Sequence, residues 1–399
     1  MKALNDNAHP LESLLQQHCP NGVEFKELGE VCETLPKGTL KTSQLTANGY
    51  PVINSGRDLY GYYSKFNNES NAFTIAARGE YAGFVNFMDS KFWAGGLCYP
   101  YRSNDENKLL TKFIYYHLKT NESNIMDSLV ARGSIPAINK KDIDKKLKIP
   151  IPPIAIQQKI VDILDAFTEL QAELQAELEA RLKQYHYYRN KLLSHDELEN
   201  RTAKSRNDSD PTPIVPYVRL GEVCEKVFAG GDLPKEYSKD KKPSGEFLYP
   251  IYSNGSDENS LYGFSKTYRI DAEAVTISAR GTIGFHTTRE AKFTPIVRLI
   301  TLIPNLNKIT NRFLNYALYT THIEKYGTSA GIPQLTIPML EKITIPLPPL
   351  SVQEEIVELL DKFDTLTNDL TSGIPAEIEA RKKQYEYYRE RLLSFIAKD

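Results

Sequence analysis

The chain has 399 residues, 41% of them hydrophobic and 25% charged, which is apolar enough for two or three packed domains and too apolar for a disordered chain. A net charge of −2 and a pI near 6.4 exclude the strongly basic balance of a protein that holds nucleic acid by bulk charge. No apolar run approaches the ~20 residues of a membrane span, and the opening MKALNDNAHPLESLLQQ lacks the basic-then-apolar order of a secretion signal, so a soluble, cytoplasmic protein with no membrane partner is expected.

Residues 1–20 read as an N-terminal segment with a short helix in LESLLQQ, stopped by Pro20-Asn21-Gly22. A first globular domain follows over 21–147. It opens with VEFKELGEVCE, continues through the β-like runs YPVINSG, NAFTIAARG, AGFVNF and GGLCYPY, and then reads as helical in LLTKFIYYHLKT before GSIPAINKKDI. Residues 148–200 form a strap and a long helix. Pro150, Pro152 and Pro153 lack an N–H and push their predecessors to extended geometry, so KIPIPP leaves the domain as a strand-like segment. Beyond it, apolar residues at Ile160, Leu164, Phe167, Leu170, Leu174, Leu178, Leu182, Tyr185, Tyr188 and Leu192 step by three or four, one stripe of an amphipathic helix. A one-sided helix of this length needs a partner helix.

A polar linker, 201–213, leads to a second globular domain, 214–341, and a second strap and helix, 342–399. This half repeats the first. Leu28-Gly29-Glu30-Val31 returns as Leu220-Gly221-Glu222-Val223, Thr74-Ile75-Ala76-Ala77-Arg78-Gly79 as Thr276-Ile277-Ser278-Ala279-Arg280-Gly281, and KIPIPPIAIQQKIVDILDAF as KITIPLPPLSVQEEIVELLDKF. The second stripe, Ile356, Leu360, Phe363, Leu366, Leu370, Ile374, Ile378, Tyr385, Tyr388 and Leu392, is the natural partner of the first, with a kink or break expected at Gly373 and Pro375. The four cysteines, Cys19, Cys32, Cys98 and Cys224, have no CxxC spacing and give no metal or redox motif. Cys32 and Cys224 stand in matching LGEVCE strings and read as small buried residues. The seven histidines show no ligand spacing.

A globular domain, a PIPPLxxQxxIVxxLDxF-like strap, a long helix and a QYxYYRxxLL ending, all given twice, resemble the specificity subunit of a type I restriction-modification system. Ile149–Phe167, Ile345–Phe363, Gln184–Leu193 and Gln384–Leu393 carry the resemblance, which spans essentially the whole chain. It implies an α+β fold in which two similar target recognition domains are joined by two long helices pairing as an antiparallel coiled-coil spacer, a pseudo-two-fold tandem duplication. Each domain would read one half of a bipartite double-stranded DNA target. Two methyltransferase (modification) subunits would dock on the chain, and restriction motor-nuclease subunits would join them. The residues themselves point away from catalysis. There is no GxxxxGK[ST] phosphate loop and no HExxH, and IPPI and LPPL lack the Asn or Asp before and the aromatic after that an amino-methyltransferase carries. No catalytic residue, metal or cofactor is therefore expected. The alternative is a stand-alone DNA-binding or scaffold protein of the same architecture.

Arg78 and Arg280, shared between the repeats, suit phosphate contact, since phosphates are alike in any sequence; the other reading is a structural arginine at a strand end. Base-reading residues belong where the repeats differ. Lys37, Lys41, Arg57 and Lys65 qualify in the first domain, and Lys235, Lys239, Lys241, Lys242, Lys266 and Arg269 in the second, with Gln44, Asn54, Asn67 and Asn68 as amides for adenine edges; each also reads as a solvated surface residue. Tyr185 and Tyr188 fall on the helix seam. Tyr187 and Tyr387, with Arg189 and Arg389, point elsewhere and suit a partner subunit.

Overall fold

The proline straps are strands with a specific partner. Lys148–Pro150 pairs antiparallel with the opening Phe25–Glu27, Pro150 opposite Phe25, and Thr344–Pro346 pairs in the same way with Tyr217–Arg219. Each globular domain is thus closed by its own first and last strands before the long helix begins. The computed structural model describes residues 19–205, 215–328, 333–369 and 371–395; the helix expected in LESLLQQ and the stripe residue Leu370 lie outside them. The chain divides into two units, Met1–Gln175 with Glu377–Asp399, and Ala176–Ala376. Each contains one globular domain, the near part of its own helix and a part of the other repeat's helix.

In the first unit a four-stranded antiparallel sheet runs in the order Cys32–Thr34, Cys98–Ser103, Ala72–Ala76, Val85–Met88. A three-stranded sheet orders Gly61–Tyr63, Tyr50–Ile53, Trp93–Ala94, the last two parallel. The helix Thr111–Thr120 lays Phe113, Ile114, Tyr116 and Leu118 into the core formed with Phe73, Ile75 and Tyr101. The second unit repeats the first sheet as Cys224–Ala229, Ile300–Pro304, Ala274–Ile277, His286–Arg289, and the helix as Asn311–Leu318. Its smaller sheet gains one strand, Tyr237–Ser238, while the first unit alone, among the described residues, has a ribbon of Val130–Ala131 with Ala137–Ile138. Cys32 is buried, as expected, but Cys224 is only half-buried.

The first long helix spans Ile154–Leu192 without interruption. It ends at the last residue of the apolar stripe, short of the 148–200 span expected for strap and helix. A turn at Leu193-Ser194 separates it from a helix over His195–Ser205, which takes in residues that read by composition as linker. The second helix is broken as Gly373 and Pro375 require, into Leu350–Asn368 and Ile374–Leu393. The Asp369 carboxylate caps the break, accepting the Thr371 N–H at 2.7 Å and the Ser372 hydroxyl at 2.5 Å, and these hydrogen bonds hold its pKa down to about 2. A Cβ on Gly373 would stand 2.4 Å from the Thr365 carbonyl oxygen, so only glycine fits. Pro375 then lies in a first helical turn, where its missing N–H costs nothing.

Each unit's core is completed by both helices. In the first, Ile160 and Leu164 meet Leu392 and Leu393, and Phe167 packs on Tyr385 and Tyr388 at ring distances of 6.2 and 5.5 Å. In the second, Ile356 and Leu360 meet Leu192, Leu193 and Leu198, and Phe363 stacks on Tyr185 and Tyr188 at 6.5 and 5.4 Å. Arg201, on the short helix after the turn, pairs with Glu355, so within this unit the first repeat's chain runs from Tyr185 to Arg201 as the second helix is followed back from Phe363 to Glu355, an antiparallel course. Among the described residues the stripe has one exception: Leu366, just before the break, is 38% exposed.

Two polar clasps, repeated in both units, fasten domain to helix. Gln157 is fully buried; its Nε2 donates to the carbonyls of Lys108 and Pro152, and its Oε1 accepts the Leu110 N–H. Gln353 does the same with Lys308, Pro348 and Thr310. One helical turn pair further on, Asp165 accepts the Tyr116 hydroxyl at 2.5 Å and the Lys112 ammonium at 2.8 Å, while Asp361 accepts from Tyr316 at 2.6 Å and Arg312 at 2.5 Å. Burial and then these carboxylates raise the Tyr116 and Tyr316 pKa values. The Gln and Asp of the two strap-helix motifs thus set how each helix leaves its domain.

His117 gives the first unit a pH dependence. Its ring lies beside a groove with Phe25, Leu147 and Phe395, its Nδ1 has no hydrogen-bond partner, and burial lowers its pKa to about 4 despite a bond to the Lys148 backbone. Because the native state disfavours the charged ring, its stability is complete above the unfolded pKa near 6.5 and falls as pH drops towards 4. The expected loss is at most roughly 3 kcal/mol, an upper limit because one edge of the ring faces the groove. His117→Ala, the residue type that the second repeat has at Ala317, should remove this slope; denaturation midpoints of both proteins at pH 7 and pH 5 give the test, and parallel slopes would refute the assignment.

Candidate nucleic-acid interface

Strand ends and the loops between them carry the predicted cationic residues. Arg78 and Arg280 follow the central strands Ala72–Ala76 and Ala274–Ile277 of the two main sheets. Both are exposed, and their backbones form matching isolated bridges, Arg78 to Ala137 and Arg280 to Gln334. Among the described residues neither side chain is engaged in an ion pair or hydrogen bond. The structural arginines here look different. Arg102 donates to the carbonyls of Glu69, Ser70 and Asn71, and Arg289 donates to Thr276 and Ser260 while lying 3.7 Å over the Tyr252 ring.

The remaining candidates separate into two groups. Arg57 is exposed and held over the rings of Tyr81 and Phe84, at 4.9 and 5.6 Å, in the loop before Gly61–Tyr63. Lys65, Lys242 and Arg269 are exposed, as are Lys41, Lys235 and Lys239. Lys241 instead donates to the Leu261 carbonyl, and Lys266 pairs with Glu236 at 3.1 Å and Glu246 at 2.8 Å, so local charge is already balanced there. Lys37 donates to the Gly96 carbonyl and lies over Tyr99.

The four amides suggested for adenine edges serve the scaffold. Asn54 accepts the Leu97 N–H, and Asn67 exchanges two hydrogen bonds with Ala94. Asn68, 5% exposed, donates to the Pro36 carbonyl, and Gln44 accepts the Lys41 N–H. Their residue type matched the expectation, but polar atoms beside short strands are consumed by backbone groups that the ladders leave unpaired.

On the helices, the proposed partner residues divide. Tyr187 and Tyr387 are 61% and 51% exposed. Arg189 turns inward over Tyr319 and Tyr185, at 4.2 and 5.5 Å, and Arg389 over Tyr385 at 5.4 Å, so both arginines belong to the seam. The sequence reading also passed over Gln157, Gln353, Asp165 and Asp361, although each stands at the same place in both motif copies. Among the described residues no cluster of His, Cys, Asp or Glu is arranged to hold a metal ion, and no helix is long and apolar enough to cross a membrane.

The model of the type I restriction modification DNA specificity domain matches the chain twice, at residues 20–184 and 215–380. A Mycoplasma pneumoniae protein described as a candidate type I specificity subunit is 36% identical over 337 residues, covering 81% of this chain and 93% of the relative. The specificity subunit of a type I restriction enzyme of Escherichia coli is 31% identical, covering 94% of each chain. The crystal structure of a type I restriction-modification S subunit from M. genitalium has the same fold, with a TM-score of 0.66, 22% identity and 99% of each chain covered.

Proposed function

Because this chain belongs to the type I restriction-modification specificity family, and is therefore a non-catalytic DNA-recognition subunit, we propose that its two globular domains each read one half of a bipartite duplex target. The long helices set the distance between the halves and dock two methyltransferase subunits, to which restriction motor-nuclease subunits are added. The observation that carries this reading is one scaffold built twice, with the same closing strands, clasps and strand-end arginine, and with unlike loops. Identical groups suit the repetitive phosphates; unlike ones suit different bases. Arg78 and Arg280 contact phosphate. Arg57, Lys65, Lys242 and Arg269 lie along the duplex, with Lys241 and Lys266 at its margin. Tyr187 and Tyr387 meet the methyltransferase subunits, the role first given also to Arg189 and Arg389.

The test is a domain exchange. Residues 214–341 are replaced with the corresponding domain of a relative of different specificity, and the methylated sequence made by the assembled methyltransferase complex is mapped. One half of the target is expected to change and the other to stay. A change in both halves would overturn the reading.

A further inference from the structure

In the second domain Arg280, Arg298 and Gln334 line one groove of about 240 Å³ with Ala229 and Thr336. Arg280 and Gln334 are directly opposed across an antiparallel bridge, which puts their side chains on one face. The same place in the first domain can be found from the strand registers. Ile75 pairs with Tyr99 where Ile277 pairs with Ile300, and Gly38 bridges Gly95 where Gly231 bridges Ile296, so Leu97 is equivalent to Arg298 with no insertion between them. Arg78 bridges Ala137 where Arg280 bridges Gln334. The first domain therefore presents Arg, Leu and Ala where the second presents Arg, Arg and Gln.

Arg298 is displayed in an unusual way. It and Val297 both have left-handed backbones, with φ of 61° and 53°, a conformation that a β-branched residue such as Val297 rarely adopts. The turn is pinned from three sides. The Val297 N–H donates to the Gly231 carbonyl at 2.9 Å, the Arg298 N–H to the Gly230 carbonyl at 3.0 Å, and Asn254 Nδ2 to the Val297 carbonyl at 2.6 Å. Asn254 also accepts the Ala279 N–H, tying this turn to the strand end that bears Arg280. Val297 is 55% exposed and Arg298 is exposed, so neither side chain of the strained pair is itself buried. Among the described residues the Arg298 guanidinium has no ion pair or hydrogen bond. Strain concentrated under one unengaged arginine is a reason to assign that arginine a function.

We propose that Arg298 is the guanine-reading residue of the second domain. Its planar fork matches the O6 and N7 acceptors that guanine presents in the major groove. Arg280, which the first domain shares as Arg78, holds a phosphate beside it. Leu97 at the equivalent place gives the first domain no such fork, so the two halves are read differently from one scaffold. This assignment rests on the half-site reading given above.

The experiment uses the full chain assembled with its methyltransferase subunits, mapping methylated sites by sequencing. Arg298→Leu, the residue type of the first domain, should lower discrimination at one guanine of one half-site by about 10- to 100-fold, leaving every other position intact. Arg298→Met keeps a long unbranched stem without any donor for O6 or N7 and should lose the same discrimination, which decides the matter if the leucine variant fails to assemble on gel filtration. Arg280→Ala should slow methylation of all sites alike without altering the motif. Full discrimination in both Arg298 variants, or relaxation in the half that the exchange of residues 214–341 does not alter, would overturn the assignment. A parent complex whose motif does not depend on this chain would overturn the half-site reading itself.

Discussion

Gln353→Leu is expected to destabilise the second unit by about 4 kcal/mol, a large part of the ~5–15 kcal/mol that holds a domain folded. Leucine matches glutamine roughly in volume, so packing is little changed. What is lost is the hydrogen bonding of three buried backbone groups, the carbonyls of Lys308 and Pro348 and the N–H of Thr310. Each orphaned group costs about 1–3 kcal/mol, offset in part by burying a more apolar side chain. Gln353→Glu should be no better, because a carboxylate oxygen would face the two carbonyls. The melting transition of the second unit should fall by roughly 10 °C. A shift within ~2 °C of the parent would show that the clasp is not structural. Gln157→Leu should do the same to the first unit, since its three partners are equivalent.

Deleting Gln175-Ala176-Glu177-Leu178 is expected to change what DNA is modified without changing what either domain reads. These residues lie inside the uninterrupted helix Ile154–Leu192. Their removal shortens it by ~6 Å and rotates its far end by ~40°. The stripe survives, because Leu174 is then followed by Leu182 at a four-residue step. At ~3.4 Å per base pair, the gap between half-sites should shrink by one or two base pairs. The second helix can adapt at its break, where the Asp369 cap and Gly373 already interrupt the ladder. Methylation mapping of the variant should return both half-sites with a shorter gap; an active variant with the original gap would mean that the helices are not the ruler.

The sequence by itself determined the duplication, the straps, the helix stripes and the break in the second helix. Each is written in local chemistry: prolines that cannot be helical, apolar steps of three and four, and a Gly-Ile-Pro that no helix interior accepts. It also determined the family, through motifs repeated at fixed positions. It did not show that Lys148–Pro150 and Thr344–Pro346 pair with strands more than a hundred residues earlier, because strand pairing has no local signature. It placed the helix end near residue 200, beyond the last stripe residue Leu192, because no proline or glycine there marks the turn at Leu193-Ser194.

Which polar residues are available was decided only by the tertiary structure. Nothing in the sequence marks Asn54, Asn67 and Lys266 as engaged and Lys65 or Arg269 as exposed, yet the first two are used by backbone groups and the third by two glutamates. Gln157 and Asp165 read as ordinary residues of a helix surface until the globular domain folds against them. Arg298 was not singled out at all, because its equivalence to Leu97 follows from strand register and its exposure from a left-handed turn. A side chain's type limits what it can bond, but whether a backbone carbonyl, a carboxylate or solvent faces it depends on long-range pairing, and that is settled only when the chain is folded.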